Sequence, residues 1–244
     1  MEIRGSIALV TGANRGIGRA FVEALQMGDA TRIYAAARNV SSLADLAAGD
    51  PQRIVPVPLD ITDLDQVGDA AERCGDVNLL INNAGIALFA GVIAADNLDA
   101  ARTEMEVNYF GTLAMCRAFA PILAANGGGV VVNMLTIGSV VNFPMIASYC
   151  ASKAAAHSMT HAVRAELSAQ GTHVVGVYPG TVDTDMSAGV DMPKSTPLEI
   201  AEAALDAVTK GLEDVYPGDM AASVRDGMVS DPKKLEKEFA AFLP

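Results

Sequence analysis

Apolar residues fall in two patterns along this chain, and the two alternate. In one, consecutive positions are apolar, which marks a strand buried on both faces. In the other they recur at three- and four-residue steps, which marks a helix with one buried face. Strands are predicted over Ser6–Val10, Thr31–Ala37, Arg53–Leu59, Val77–Ile81, Gly129–Leu135 and Thr172–Tyr178. Pro56 and Pro58 suit the end of a strand better than its centre. Helices are predicted over Gly16–Met27, through Ile17, Ala20, Phe21, Ala24 and Leu25, and over Ser41–Ala48, capped by Ser41 or Ser42. Further helices cover Asp63–Cys74, Leu98 to about Ala125 with a break near Asn108, Ser148–Ala169 and Leu198–Lys210, and a charged one covers Asp231–Phe242. Strands alternating with helices imply a mostly parallel sheet with crossover helices, one doubly wound α/β domain. No repeat, linker or low-complexity segment interrupts it.

The first strand runs into Thr11-Gly-Ala-Asn-Arg-Gly-Ile-Gly18. Gly12 permits a tight turn, Gly16 lets the backbone approach a pyrophosphate, and Gly18 lets the helix pack closely on the sheet. Free amides at the helix start then meet the anion. The spacing is G-x3-G-x-G rather than the commoner G-x-G-x-x-G. Far downstream, Tyr149 and Lys153 stand one turn apart on one helix face. A free tyrosine, with a pKa of about 10, is a poor neutral-pH acid, and a nearby cation lowers it. A dinucleotide that moves hydride and a residue that moves a proton together make a carbonyl/alcohol oxidoreductase.

Composition narrows the reading further. Of 244 residues, 51% are apolar, enough for a large core. The net charge of −12 repels phosphate backbones, so no nucleic-acid partner is expected. Cys74, Cys116 and Cys150 are odd in number and widely spaced, without a CxxC, so neither a disulfide framework nor a metal site is expected. The N-terminus shows no signal-peptide pattern, and the apolar run near Ala84–Ala95 is too short and glycine-broken for a membrane span. A reducing cytoplasm is the expected compartment.

Thr11–Gly18, Asn82–Gly85, Asn108, Tyr149-Cys-Ala-Ser-Lys153 and Pro179-Gly180 occur in the order of the short-chain dehydrogenase/reductase family, which the chain resembles from about residue 6 to 210. The resemblance implies a Rossmann-type fold with a seven-stranded sheet. It divides the single domain, 1–244, into a cofactor half to about residue 125, a catalytic and substrate half over about 126–212, and a tail, 213–244. It also implies a nicotinamide cofactor and a tetrad whose members here are Asn108, Thr136, Tyr149 and Lys153. Thr136 stands where the family usually has serine, and its methyl restricts the side chain. Ser139 and Ser148 are the other candidate hydroxyls. Asn108, through its side chain or its carbonyl, would hold a water beside Lys153, and Lys153 would also hold the nicotinamide ribose.

The second strand ends Ala35-Ala-Ala-Arg38-Asn39, with no carboxylate to bind a free ribose 2′-hydroxyl. Arg38, with Arg15 from the other side, suits a 2′-phosphate, so NADP(H) is expected over NAD(H). By resemblance the cofactor surface also takes Asn14, Ile17, Asn39, Asp60, Ile61, Asn82, Ala84, Gly85, Pro179, Gly180, Val182 and Thr184. Leu88, Phe89, Asn142, Phe143, Met145, Ile146 and Met186 are the pocket candidates. Being apolar and free of a basic cluster, they favour a small neutral ketone or aldehyde. The loop Thr184–Pro197 could close over it. The alternatives are an NADP-linked alcohol or hydroxysteroid dehydrogenase working oxidatively, and a non-catalytic NADP(H)-binding sensor. Small-residue-rich helices Tyr109–Ala124 and Ser148–Ala169 point to a homodimer, or a homotetramer. The family's usual Asp-Gly-Gly strand end, on which the tetramer edge is built, is absent.

Overall fold

The computed structural model describes residues 1–244. Seven strands, β1 (Ile7–Thr11), β2 (Arg32–Ala37), β3 (Ile54–Pro58), β4 (Leu79–Asn82), β5 (Gly129–Met134), β6 (Thr172–Val177) and β7 (Asp214–Val215), form one sheet. Its order is β3-β2-β1-β4-β5-β6-β7, and every pairing is parallel. All carboxyl ends therefore lie along one edge, and the chain reverses its winding between β1 and β4. That switch point is where an open α/β sheet leaves a crevice.

Both faces of the sheet are covered, which is why its strands read as unbroken apolar runs. Helix α1 (Gly16–Met27) and α2 (Ala44–Gly49) bury one face, together with a later helix over Pro197–Lys210 that packs on α1. Helix α3 (Leu64–Arg73) is capped by Asp63, and its Val67 and Ala70 join the core on the opposite face. The predicted break at Asn108 is a π turn over Glu106–Gly111, between α4 (Asp99–Met105) and α5 (Thr112–Ala125). Helix α6 (Ala147–Leu167) crosses beside α5, and α7 is the Pro197–Lys210 helix.

Three local expectations change. The segment after β2 is a 3-10 turn, Val40–Leu43, leading into α2, and its cap is Asn39, whose Oδ1 accepts from the Ser41 amide at 3.2 Å. The prolines of β3 are tolerated along its length because β3 is an edge: Leu59 N donates to Ala37 O at 3.0 Å, so amides of opposite parity, those Pro56 and Pro58 lack, would point away from the sheet. The tail contains a two-residue strand, β7, and two helices, α8 (Asp219–Ser230) and α9 (Pro232–Phe239). Ala221, Val224 and Leu235 of these helices form a third small core with Ile137, Val141 and Phe143. No helix is long and apolar enough to cross a membrane.

Candidate active site

A cavity of about 410 Å³ runs along the carboxyl edge of the sheet, in the size range of small-molecule sites. The turn between β1 and α1 forms one wall. Gly12 and Gly16 have φ of +65° and +53°, in the left-handed region that glycine enters freely. A side chain on Gly18 would collide with the Gly12 carbonyl, so the helix start can press against the turn only at glycine. No side chain caps α1, and its first-turn amides border the cavity. The turn is braced from β4: Asn83 Nδ2 donates to Thr11 O at 2.9 Å, and Thr11 Oγ1 accepts the amides of Asn83 and Ala84 at 2.9 and 3.0 Å.

The opposite side is built from β5 and α6. Thr136, just past β5, and Tyr149 and Lys153 of α6 all border the cavity. Lys153 Nζ donates to Met134 O at 2.9 Å, and burial pulls the ammonium down to about 8. Thr136 Oγ1 donates to Pro179 O at 3.4 Å and accepts the Gly138 amide at 3.2 Å. Helical spacing predicts a phenol lowered by the lysine. The structure differs, because burial dominates and holds Tyr149 above its ordinary value, with Cys150 and Glu104 adding to the effect. The Thr136 hydroxyl alone acts in the lowering direction.

Asn108 sits within the π turn, fully buried and outside the cavity wall. Its side chain has three partners within the protein: Oδ1 accepts the Ile86 amide at 2.9 Å, and Nδ2 donates to Ile86 O and Ser152 Oγ, both at 2.9 Å. Ser152 in turn donates to Tyr149 O at 2.7 Å. Asn108 thus clamps the loop after β4 to the helix that carries Tyr149. A methyl group on Gly85 would stand 3.1 Å from Asn108 Oδ1 and 3.2 Å from Lys153 Nζ, which places the two side chains around one gap.

Most of the cofactor surface expected from the sequence borders the cavity: Asn14, Arg15, Ile17, Arg38, Asp60, Ile61, Ala84, Gly85, Pro179, Gly180, Val182 and Thr184. Two residues do not. Asn82 is in register with Asn133 on β5 and donates to its Oδ1 at 2.9 Å, buried under the strand ends. Asn39 is turned to cap the segment after β2. Of the pocket candidates, Phe89, Phe143, Met145, Ile146 and Met186 border the cavity, whereas Leu88 and Asn142 face outward. Ser139 accepts the Thr136 amide at 3.2 Å and Ser148 donates to Ala90 O at 3.2 Å, so both alternative hydroxyls are engaged elsewhere.

Sequence reading missed three participants. Asn83, one residue past β4, does the bracing that its position beside a glycine turn could have signalled. Glu104 of α4 is wholly buried; its Oε1 accepts the Leu88 amide at 2.7 Å and its Oε2 has no partner. Phe242, near the end of the chain, also borders the cavity.

Residues 6–194 match the sequence model of the short chain dehydrogenases. The chain belongs to the short-chain dehydrogenase family. A short-chain dehydrogenase of Burkholderia cenocepacia, solved in complex with NADP, is 45% identical with a TM-score of 0.93, covering 98% of this chain and 99% of that one. An uncharacterised oxidoreductase of Staphylococcus saprophyticus is 31% identical over 85% of this chain and 93% of its own length. A short-chain dehydrogenase/reductase of Burkholderia phymatum, solved with NAD, is 22% identical with a TM-score of 0.83 over 94% of this chain and 96% of that one, a likeness of fold alone. As a short-chain dehydrogenase, the protein is an oxidoreductase built on a Rossmann-type sheet.

Proposed function

We propose that this protein reduces a small neutral ketone or aldehyde to an alcohol with NADPH, using Tyr149 as proton donor. The observation that carries the reading is the meeting, in one cavity, of the uncapped glycine turn with Thr136, Tyr149 and Lys153. The residues fit a dinucleotide: glycines keep one wall free of side chains, and the first-turn amides of α1 suit its pyrophosphate. Asp60 and Ile61 would hold adenine, Pro179–Val182 and Thr184 the nicotinamide end, and Lys153 its ribose. Arg38 borders the cavity at the end of an acid-free β2, which favours a ribose carrying a 2′-phosphate. When bound, the reduced cofactor supplies the hydride.

The chain's own residues handle the oxygen and the proton. Thr136 and Tyr149 hydrogen-bond the carbonyl oxygen and fix its orientation. Burial keeps the phenol protonated near neutrality and makes it a weaker acid, so its proton leaves only to the alkoxide that develops on the substrate, a stronger base than a phenolate. Lys153 uses one of its three donors on Met134 and keeps two for the cavity. The apolar wall of Phe89, Phe143, Met145 and Met186 suits an uncharged, partly aromatic substrate. The same reading gives a homodimer through α5 and α6, a face beside which Phe110 is 49% exposed, and sedimentation reads that state.

The test is consumption of NADPH and NADH with aryl ketones, keto esters and aldehydes, beside Tyr149→Phe. NADPH-dependent turnover that Tyr149→Phe abolishes, with NADPH binding kept, is the expected result. Tight NADPH binding without turnover would replace the reading with a binding role.

A further inference from the structure

The end of the chain folds back onto the substrate side of the cavity. After α9, the Phe242 amide donates to Phe239 O at 3.1 Å, a turn that brings the Phe242 ring inward to the cavity wall. Its carbonyl accepts the Met145 amide at 2.9 Å, fastening the tail to the segment that leads into α6. Phe143 forms a three-ring cluster with the two tail aromatics, its ring centre 4.5 Å from that of Phe239 in an edge-on contact and 5.6 Å from that of Phe242, with the two tail rings 5.9 Å apart. Beyond it, Pro244 rests against Gly91, where a Cβ would come within 2.7 Å of the proline ring. Leu235, buried against Gly227, anchors α9 to α8 behind this contact. The tail thus supplies a wall, with Tyr149 counted among the residues packed on the same small core.

From this we infer that Phe242 is a specificity-determining residue: it closes the substrate end of the cavity and selects carbonyls whose larger arm is one flat apolar group over those with two bulky arms. The inference rests on the carbonyl-reduction reading. Its chemistry follows from the surroundings. Phe89, Phe143, Met145, Met186, Met192 and Phe242 offer ring faces and thioethers and no charge, a lining that rewards an aromatic arm slid between them. The tail backbone, held at Met145, cannot retreat without giving up that hydrogen bond, so the ring sets a size limit.

The experiment compares the full chain with Phe242→Ala and Phe242→Trp on butanone, acetophenone and benzophenone, with NADPH affinity and thermal melting as controls. Phe242→Ala is expected to raise kcat/KM for benzophenone relative to acetophenone by about tenfold, mainly through KM, and Phe242→Trp to shift preference toward butanone. In parallel, hydrogen exchange at the Met145 amide should be slow in the full chain and fast in a chain lacking residues 239–244. Turnover by the full chain with an unchanged size preference in both variants would overturn the assignment and leave the reduction reading standing. Equal losses on all three ketones would make Phe242 a folding residue only. A full chain that turns over no carbonyl at all, in either direction, would instead sink the reduction reading and the assignment with it. Equal Met145 exchange with and without the tail would overturn the seating of the wall by itself.

Discussion

Arg15 reaches across the mouth of the cavity to Asp185, its Nη1 2.9 Å from the carboxylate, and so links the glycine turn to the 3-10 turn Asp185–Ser187 on the far side. The two side chains are 70% and 72% exposed, and such a pair contributes at most about 1 kcal/mol. It can therefore break in favour of a phosphate at little cost. Arg15→Ala is expected to weaken NADPH by about fivefold, roughly 1 kcal/mol, and NADH hardly at all. Asp185→Ala, which frees the guanidinium, should leave the melting temperature in place and tighten NADPH slightly. Fluorescence titration of both dinucleotides reads this; equal losses for the two in Arg15→Ala would show that Arg15 does not distinguish them.

On the proposed reading Arg38 would carry the larger share of a preference for NADPH, because β2 ends beside it without an acid. Arg38→Asp places a carboxylate where a ribose 2′-hydroxyl would bind and a 2′-phosphate would be repelled. The expected outcome is an inverted ratio of kcat/KM for NADPH over NADH, by about 10²-fold or more in total. A ratio that stays in favour of NADPH would mean that the phosphate is held elsewhere.

What could be read in the sequence tracks how local the governing physics is. Buried strands betray themselves because both faces must be apolar, and the glycine turn because its backbone excludes side chains. Asn108 could be read as a helix break because asparagine is a poor mid-helix residue, although its partners, Ile86 and Ser152, could not. Asn82 and Asn83 are neighbours, yet one faces Asn133 inside the sheet and the other braces Thr11 and Gly12. One residue of strand parity separates those fates, and a boundary predicted at Ile81 rather than Asn82 was enough to hide it. Strand β7, with two residues, is too short to make an apolar run. Glu104 and Phe242 gain their places from contacts with chain segments distant in sequence, which no local pattern encodes.

Thr136 stands at the point where the residues depart from the family pattern, and its neighbours make the substitution informative. Its hydroxyl is the only one of the three candidates that borders the cavity, since Ser139 and Ser148 are engaged with Thr136 N and Ala90 O. Thr136→Val keeps the shape and removes the hydrogen bond, and should lower kcat/KM by about 10²-fold. Thr136→Ser should stay within about threefold, because it loses only the restraint of the β-branch. Ser139→Ala should act indirectly and more weakly, through the Thr136 amide. Steady-state kinetics on one ketone orders the three; a Thr136→Val enzyme as fast as wild type would remove Thr136 from the oxygen site.

Lys153 gives a prediction that needs no substrate. Its ammonium is buried, and burial lowers it from an ordinary 10.5 to about 8. Between those values the folded protein has released a proton that the unfolded chain still holds, so this group makes stability rise as pH climbs from about 8 to about 10.5. Below the lower value both states are charged and the burial penalty is at its full size. Buried tyrosines and cysteines act in the opposite sense at alkaline pH, since Tyr149, Tyr178, Cys74 and Cys116 are all held above their ordinary values. The net curve of the wild type therefore mixes the two. Its difference from Lys153→Met isolates the lysine. Urea unfolding of the dinucleotide-free proteins at pH 7 and pH 10 should show the wild type gaining on the variant by up to about 3 kcal/mol. Parallel behaviour of the two proteins would mean that the ammonium is solvated after all. The predicted gain would show that the chain gives up stability near neutral pH to keep a cation, able to release its proton, on the cavity wall it shares with Tyr149.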